Sequence, residues 1–565
     1  MKTKSNKKKD MNNISYTQIP EGSEDFEDKN IDFNTDDGMF FIPISGVQQI
    51  GMNLNLFGYK NKWLICDVGI SFKSILGTSY NTLPSFEYLK KIGEENILGY
   101  IITHAHQDHI GALVECLKVI KAPIYTTKFT MKIIEEDLKQ NHIKTTLNIV
   151  ETNKEFQLND FKILFSNITH SIPDTNNILI KTPAATIFHT GDWKFDDDPV
   201  IGQKTDYLLL KSIGEKYKIT GFLCDSTNAN ENTRTGSEME VAEGLYKIAL
   251  QYPKNRLIYT SFASNVARLV SLDKIAKKTG RYFFLIGRSM IKMANVAIST
   301  NLIDKNQNNF IFDAHRVNEF PPEKVMIACT GSQGEMNSVL YKLAFKFHKD
   351  IKITNKDVVV FSARVIPGNE EKITDIKNYL ISQNVTVIDE RDEIKTHVSG
   401  HPGRQEIAEM VEMINPYCVI PIHGDLLHLK AAENLMKIKN RRCLVPPFNG
   451  AVFRLKDNES VKYMGQVPVI TNVIDGKQIY PINGEVFQQR KQLSSNGIIV
   501  INIKHQKNIS IFIYGVLNDN DVFICRENIL KIVKKNISSD KKLIRNDVIM
   551  FMKSKYSKIP YVLVL

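Results

Sequence analysis

From Phe40 onward, short apolar runs alternate with stretches of helical spacing. FFIPISG, NLNLFGY, KWLICDVGI and ILGYIITHAH read as strands, and GALVECLKVI repeats apolar positions at helical intervals. This pattern predicts a layered α/β domain. A second series begins after GFLCDSTN, where ALQYPKNRLIYTS, GRYFFLIG, KVMIACTGSQGE and DVVVFSAR each end in a small or polar cluster. Near-continuous apolar runs of this kind suit a parallel sheet covered on both faces. CVIPIHGD then returns to the earlier style, and PPFNGAVFRLKDN with MGQVPV predicts a β-rich close. A break near ITNVIDGKQIYPINGEV precedes IIVINIKHQKNISIFIYGVL, the helical ENILKIVKKNI and a final PYVLVL. There is no internal repeat.

The division expected from this pattern is a disordered tail over residues 1–37, a first α/β segment over 38–230, an inserted domain over 231–385, a return of the first domain over 386–470, a linker over 471–488 and a small α/β domain over 489–565. The opening MKTKSNKKKD has no apolar stretch behind it and no arginine, so it fits neither a secretory signal nor an organelle transit peptide. Between Glu21 and Asp37 lie eight acidic residues and one lysine, a composition that cannot bury a core.

Composition narrows the class. With 565 residues, 42% hydrophobic and 24% charged, the chain is globular and neither fibrous nor wholly disordered. No apolar run approaches the roughly 18 residues needed to cross a bilayer, which excludes an integral membrane protein of the helical kind. A formal net charge of +11 favours polyanionic partners without requiring them. The seven cysteines are scattered, odd in number and free of C-x-x-C spacing, as expected in a reducing, cytoplasmic setting. Set against thirteen histidines, they also predict that any metal is held by nitrogen and oxygen.

The candidate chemistry starts at THAHQDHIGAL, where His104, His106, Asp108 and His109 fall between a strand and a helix. Four ligand-capable side chains in so short a span can face two neighbouring metals, and burying them unpaired would be costly. His170 in ILFSNITHS, Asp192 in TIFHTGDW, Asp225 in GFLCDST and His423 in CVIPIHGD also follow apolar runs directly. Sites in α/β folds gather at such strand ends. THVSGH adds His397 and His401, whereas His189 and His428 have the wrong phase and read as structural. Asn53 and Asn55 in GMNLNLFGY read as hydrogen-bonding residues near the floor of the site. About 170 residues separate Asp225 from His397, so a second domain caps the site.

These segments resemble the metallo-β-lactamase fold and, more closely, the β-CASP nucleases of the ribonuclease J family. HAHQDH, the His170 and Asp192 segments, DSTN, SGH and PIHGD match successive family motifs, and TGSQGE, SFASNVARL, IPGNE and HVSGHP are similar to ribonuclease J in particular. The resemblance runs from about Ile42 to the end. It implies an αββα sandwich interrupted by an inserted α/β β-CASP domain, with a small C-terminal α/β domain. It implies two divalent metal ions, Zn²⁺ with Mn²⁺ or Mg²⁺ as alternatives: His104, His106 and His170 on one, Asp108, His109 and His423 on the second, and Asp192 bridging them. Activated water between such ions hydrolyses a phosphodiester bond in line. Asp225 would orient a ligating histidine, and His401 would donate to the scissile phosphate or the leaving 3′ oxygen.

With the resemblance, the Gly/Ser-rich turns TGSQGE and SARVIPGNE together with HVSGHPGR suggest a phosphate-lined channel, with Ser332, Ser362, Arg364, His397 and Ser399 as candidate contacts to RNA or its 5′ monophosphate. The implied activity is 5′-to-3′ exonuclease and endonuclease action on single-stranded RNA, preferably 5′-monophosphorylated, in rRNA processing and mRNA decay in the cytoplasm. The basic C-terminal region, nine Lys/Arg against three Asp/Glu over residues 527–558, reads as a solvated helix face; by resemblance it supports a homodimer or homotetramer, or adds RNA affinity. The competing readings are a DNA-end nuclease, a small-molecule hydrolase on the same core, and a catalytically silent RNA-binding subunit. The last requires a lost ligand, and none is missing.

Overall fold

The computed structural model describes residues 31–504 and 508–565. Most of the chain forms one unit, residues 31–70 and 86–469. In it an eight-stranded sheet, antiparallel from Lys462–Gln466 to Lys62–Cys66 and parallel from there through Ile97–Ile101 to Leu147–Ile149, faces a six-stranded sheet. The second sheet is antiparallel at Phe161–Asn167 and parallel across Thr186–His189, Gly221–Asp225 and Cys418–Ile422.

Strand alternation builds the layers. Leu223 and Ile420 point between the sheets to meet Phe41, Phe57, Phe165 and Phe453, while their neighbours Phe222, Cys224 and Val419 point outward under helices. Helix Arg404–Ile414 presents Ile407, Met410, Val411 and Ile414 to that outer face. Each such side chain contributes about 1.5–3 kcal/mol on burial. Glu406 accepts from Gly403 N–H at the start of the helix, and Asn415, in left-handed backbone, ends it.

Between Asp225 and Arg404 the chain departs into a third sheet, also six-stranded, in which every pairing is parallel. Its strands are apolar on both faces, as the uninterrupted runs predicted. Helices Glu238–Gln251 and Val266–Thr279 cover one side, and Val339–Ala344 with Glu370–Ser382 the other. The strand Thr386–Ile388 pairs with Asp357–Phe361, so the inserted sheet runs past the expected boundary at residue 385.

Two other boundaries need correction. Residues 471–488, expected as a linker, form the hairpin Thr471–Asp475 and Gln478–Pro481 and the start of helix Glu485–Asn496. That hairpin pairs with Thr78–Pro84, so residues 71–85 belong with the second unit, residues 470–565, and not with the first domain. Nothing local marks this pairing, because the partners lie almost 400 residues apart. The second unit also holds the three-stranded sheet of Ile498–Lys504, Asn508–Tyr514 and Tyr561–Val564, packed on helices Asp519–Lys535 and Lys541–Tyr556. Of the expected tail, residues 1–30 lie outside the described residues. Beyond them the chain is already packed: Phe33 sets its edge against Phe40 and Trp63 at 4.8 and 5.1 Å, and Arg454 binds Asp36 and Asp37 at 2.7 Å each. Among the described residues no helix is long and apolar enough to cross a membrane.

Candidate metal centre

Strands of both facing sheets bring their carboxyl ends to one place. Ile97–Ile101 leads to His104 and His106, Phe161–Asn167 to His170, Thr186–His189 to Asp192 and Cys418–Ile422 to His423, while Asp225 ends its own strand. Asp108 and His109 sit on a four-residue helix, Gln107–Ile110, just before the helix Leu113–Leu117 that falls within GALVECLK.

His106 Nδ1 lies 3.2 Å from His104 Nε2 and 3.0 Å from His170 Nε2, and Asp192 Oδ2 stands 3.8 and 3.9 Å from the latter two nitrogens. Tetrahedral ligands on metal–nitrogen bonds of about 2.0–2.1 Å stand about 3.3 Å apart, so this is the spacing of a coordination shell. Beside it, His109 Nε2 lies 3.1 Å from Asp192 Oδ2, and His423 Nε2 lies 3.2 Å from Asp108 Oδ2. Within His104, His106, His170 and Asp192, and again within Asp108, His109, Asp192 and His423, all donor atoms fall within 4.8 Å of one another. Asp192 is common to both groups.

The outer faces of the rings test whether the inner nitrogens are free to bind a cation. His170 Nδ1 donates to the Gly400 carbonyl at 2.6 Å, an acceptor only, which leaves Nε2 as a bare lone pair. His109 Nδ1 donates to Asp67 Oδ2 at 2.7 Å. Thr103 Oγ1 donates to Asp67 at 2.8 Å and so accepts from His104 Nδ1 at 2.9 Å. Thr227 Oγ1 donates to Asp225 at 2.7 Å and accepts from His423 Nδ1 at 2.8 Å. His106 Nε2 meets the Ser264 hydroxyl of the inserted domain at 3.1 Å. At His104, His109, His170 and His423 the outer Nδ1 is thus the donor and Nε2 faces the cluster, the arrangement of metal-binding histidines, while the Ser264 hydroxyl can serve His106 Nε2 as donor or acceptor. The donor set fits divalent cations preferring nitrogen and oxygen.

Two glycines allow the approach. A Cβ at Gly69 would lie 1.6 Å from the Asp108 carbonyl oxygen, and one at Gly400 would lie 2.7 Å from His170 Cε1. Asn53 supports the same loop by donating from Nδ2 to Asp108 O at 3.1 Å.

Electrostatics separate the two groups. Burial holds His104 and His170 well below the usual imidazole range and pushes His106 down to about 4. At His109 the effect of burial is overcome by Asp192, Asp67 and Asp108, which hold it well above that range. At His423 burial is likewise overcome by Asp192, with hydrogen bonds donated to Asp108 and Asp225, raising it to about 10. Asp192 is held well below the carboxylate range, since His109 and His423 outweigh its burial.

His401 stands at the edge of this cluster, its Nδ1 2.8 Å from Asp225 Oδ2 and 4.0 Å from Asp192 Oδ2. Of the five residues expected along an RNA channel, two line one cavity. Arg364 and Ser399 line a cavity of about 210 Å³ with Asn228, Glu231, Thr235 and Lys395. Ser399 Oγ there accepts from Asn228 Nδ2 at 2.9 Å and from His401 N–H at 3.1 Å. Ser332 and Ser362 are buried and His397 is half-buried. The Ser362 hydroxyl donates to Thr396 O at 2.7 Å beneath the Arg268 guanidinium, so it is not free to meet a phosphate. His397 is pushed down to about 3 by burial and then by Arg268, which keeps it neutral.

Sequence reasoning passed over Asp67, Thr103, Thr227 and Ser264. Asp67 alone carried a visible signal: it follows the apolar run KWLIC directly, as Asp225 follows GFLC.

Family models match the chain in three stretches: a β-lactamase superfamily domain over residues 63–214, a ribonuclease J β-CASP domain over 254–380, and a Zn-dependent metallo-hydrolase RNA specificity domain over 393–446. A ribonuclease J of Sinorhizobium meliloti is 32% identical over 500 residues, 87% of this chain and 86% of its own length. The chain belongs to the ribonuclease J family. A ribonuclease J of Thermus thermophilus is 30% identical over 479 residues, 82% of each chain. Among solved structures, a protein of unknown function from Enterococcus faecalis V583 shares the fold at a TM-score of 0.51 and 15% identity, over 74% of this chain and 100% of its own. Membership of the ribonuclease J family makes this chain a metal-dependent ribonuclease with a metallo-β-lactamase domain and an inserted β-CASP domain.

Proposed function

We propose that the chain hydrolyses single-stranded RNA through two divalent ions, one held by His104, His106 and His170, the other by Asp108, His109 and His423, with Asp192 between them. The observation that carries this reading is the sharing of the Asp192 carboxylate by two converging donor groups. Bound there, such ions lower the pKa of water and neutralise phosphate oxygens. The chain's own groups do the rest. Asp67, Thr103, Thr227 and the Gly400 carbonyl hold the imidazoles in register.

His401 is the proton donor to the leaving 3′ oxygen. Its burial, which would lower its proton affinity, is outweighed by the Asp225 carboxylate, so the ring carries a proton above the usual imidazole pH. The cavity beside it, with the Arg364 guanidinium and Lys395 ammonium on its walls, has the charge and the polar donors to take the 5′ monophosphate of an RNA end. A 5′-bound end next to the cluster supports 5′-to-3′ exonuclease action; RNA threaded past it gives endonuclease cuts. Zn²⁺ suits the nitrogen-rich first group, and Mn²⁺ or Mg²⁺ would be tolerated at the second. We assign the enzyme to rRNA processing and mRNA decay in the cytoplasm, as a homodimer or homotetramer.

The test is product analysis on RNA labelled at either end, with 5′ monophosphate, triphosphate or hydroxyl, with and without chelator. Mononucleotides released from the 5′ end, fastest from the monophosphate and abolished by chelation, are expected. Equal rates on all three ends would remove the 5′ pocket, and chelator-resistant cleavage would remove the metal mechanism.

A further inference from the structure

Away from the metal centre, the inserted domain carries an aromatic stack on its surface. Phe345 lies between Tyr341 and Tyr379, with ring centroids at 4.6 and 4.5 Å, and Phe347 stands nearly parallel to it at 6.5 Å and 17°. Phe347 is 69% exposed and Tyr379 40%, so the stack ends in rings open to solvent. Tyr341 and Phe345 are half-buried against the core of the inserted domain, but Phe347 and Tyr379 are exposed and are not explained by that packing.

The segment is also basic. Lys346, Lys349 and Lys352 are exposed, and among the described residues their ammonium groups form no ion pair or hydrogen bond. Asp350, the one acidic residue from Lys342 to Lys356, is turned toward His315 at 2.8 Å. The geometry is fixed by backbone: Phe347 N–H and His348 N–H both donate to the Lys342 carbonyl, at 2.7 and 3.0 Å, closing the end of helix Val339–Ala344. This turn holds Lys346 at φ 62°, a left-handed position that favours glycine, yet a lysine occupies it.

Flat rings with unpaired cations beside them match a ligand that offers flat bases along a polyanionic strand. A purely apolar partner surface would meet the rings but leave the lysines uncompensated. We propose that the Phe345, Phe347 and Tyr379 stack, with Lys346, Lys349 and Lys352, is a second binding site for single-stranded RNA, outside the catalytic cleft. It stacks bases on Phe347 and Tyr379, pairs lysines with phosphates and reads no sequence. The proposal rests on the reading of the chain as an enzyme of single-stranded RNA, and it makes long RNA a better ligand than short.

The experiment compares the metal-loaded full chain with Phe347→Ala and with a triple variant, Lys346→Ser, Lys349→Ser and Lys352→Ser. Each is titrated into fluorescein-labelled phosphorothioate oligouridylates of 5 and 30 nucleotides, and probe integrity is checked by gel. Phe347→Ala should weaken the 30-mer about tenfold and leave the 5-mer unchanged. The triple variant should reduce the log–log salt dependence for the 30-mer by about 2. Unchanged affinity and slope for the 30-mer would overturn the proposal. So would loss of self-association in sedimentation at unchanged RNA affinity, since the face would then belong to a second copy. Hydrolysis of an ordinary 5-mer by the unaltered chain is measured separately. If that fails while the variants still lose 30-mer affinity, the catalytic reading falls and this site stands.

Discussion

Asp225 Oδ2 lies 2.8 Å from His401 Nδ1, so the last residue of a lactamase-domain strand grips a histidine that enters the fold only after the inserted domain is complete. The contact joins the strand that precedes the insertion to the segment that follows it. His401→Ala is expected to lower kcat by about 10²–10⁴-fold, the usual worth of a positioned general acid, with metal content unchanged. Asp225→Asn should keep part of that rate but move the alkaline limb of the kcat profile to lower pH, because the carboxylate that retains the imidazolium proton is gone. Metal analysis with a pH profile on 5′-labelled RNA checks both.

Asp67 touches no inward donor atom yet accepts from His109 Nδ1, Thr103 N and Thr103 Oγ1 at 2.7, 2.8 and 2.8 Å. Through Thr103 it also sets the His104 ring. Asp67→Asn should weaken metal binding about 10–100-fold, read by competition with a chelating dye. Affinity equal to that of the unaltered chain would mean that the rings are held by packing alone.

Glu238 and Arg268 form a buried pair at 3.0 Å, and Arg268 also donates to the Ser362 carbonyl at 2.8 Å. Burial alone would raise the Glu238 carboxyl, but Arg268 and then Lys194 hold it below its ordinary value. A depressed carboxyl adds stability above its unfolded pKa, about 4.3, and that contribution disappears as pH falls through the folded value. Glu238→Gln leaves the guanidinium buried without its counter-charge, at a cost of about 3–5 kcal/mol. The thermal midpoint of the variant should therefore lie well below that of the unaltered chain from pH 7 to 5, with the gap closing below about pH 4.5.

The histidines and aspartates of the centre were legible because each follows an apolar run or sits in one short loop, so a linear pattern coincides with a spatial one. His170 and His423 are 253 positions apart, but both stand where a strand ends. The hairpin of residues 71–85 was not legible. Its strands carry exposed polar side chains, and its partner, Thr471–Asp475, lies where Gly476 and Pro481 read as a break. Ser362 misled for a different reason: it follows an apolar strand just as Asp225 does, but a buried arginine fills the space in front of it, and no local pattern reports a cation contributed from 94 positions away.

Ser264 offers the sharpest check on coupling between the two domains. It belongs to the loop before helix Val266–Thr279 of the inserted domain, and its hydroxyl lies 3.1 Å from His106 Nε2, the nitrogen facing away from the cluster. His106 turns Nδ1 toward His104 and His170 while its outer nitrogen meets this hydroxyl, which the inserted domain supplies. Ser264→Ala should weaken metal binding at the His104, His106 and His170 group by about tenfold, the lower end of the effect of losing such a contact. Ser264→Thr, which restores a hydroxyl, should recover most of it. Isothermal titration of the metal-free chain with Zn²⁺ distinguishes the outcomes: two unequal binding events in the unaltered chain, of which Ser264→Ala shifts one. If both events are unmoved, the inserted domain caps the centre without holding any part of it.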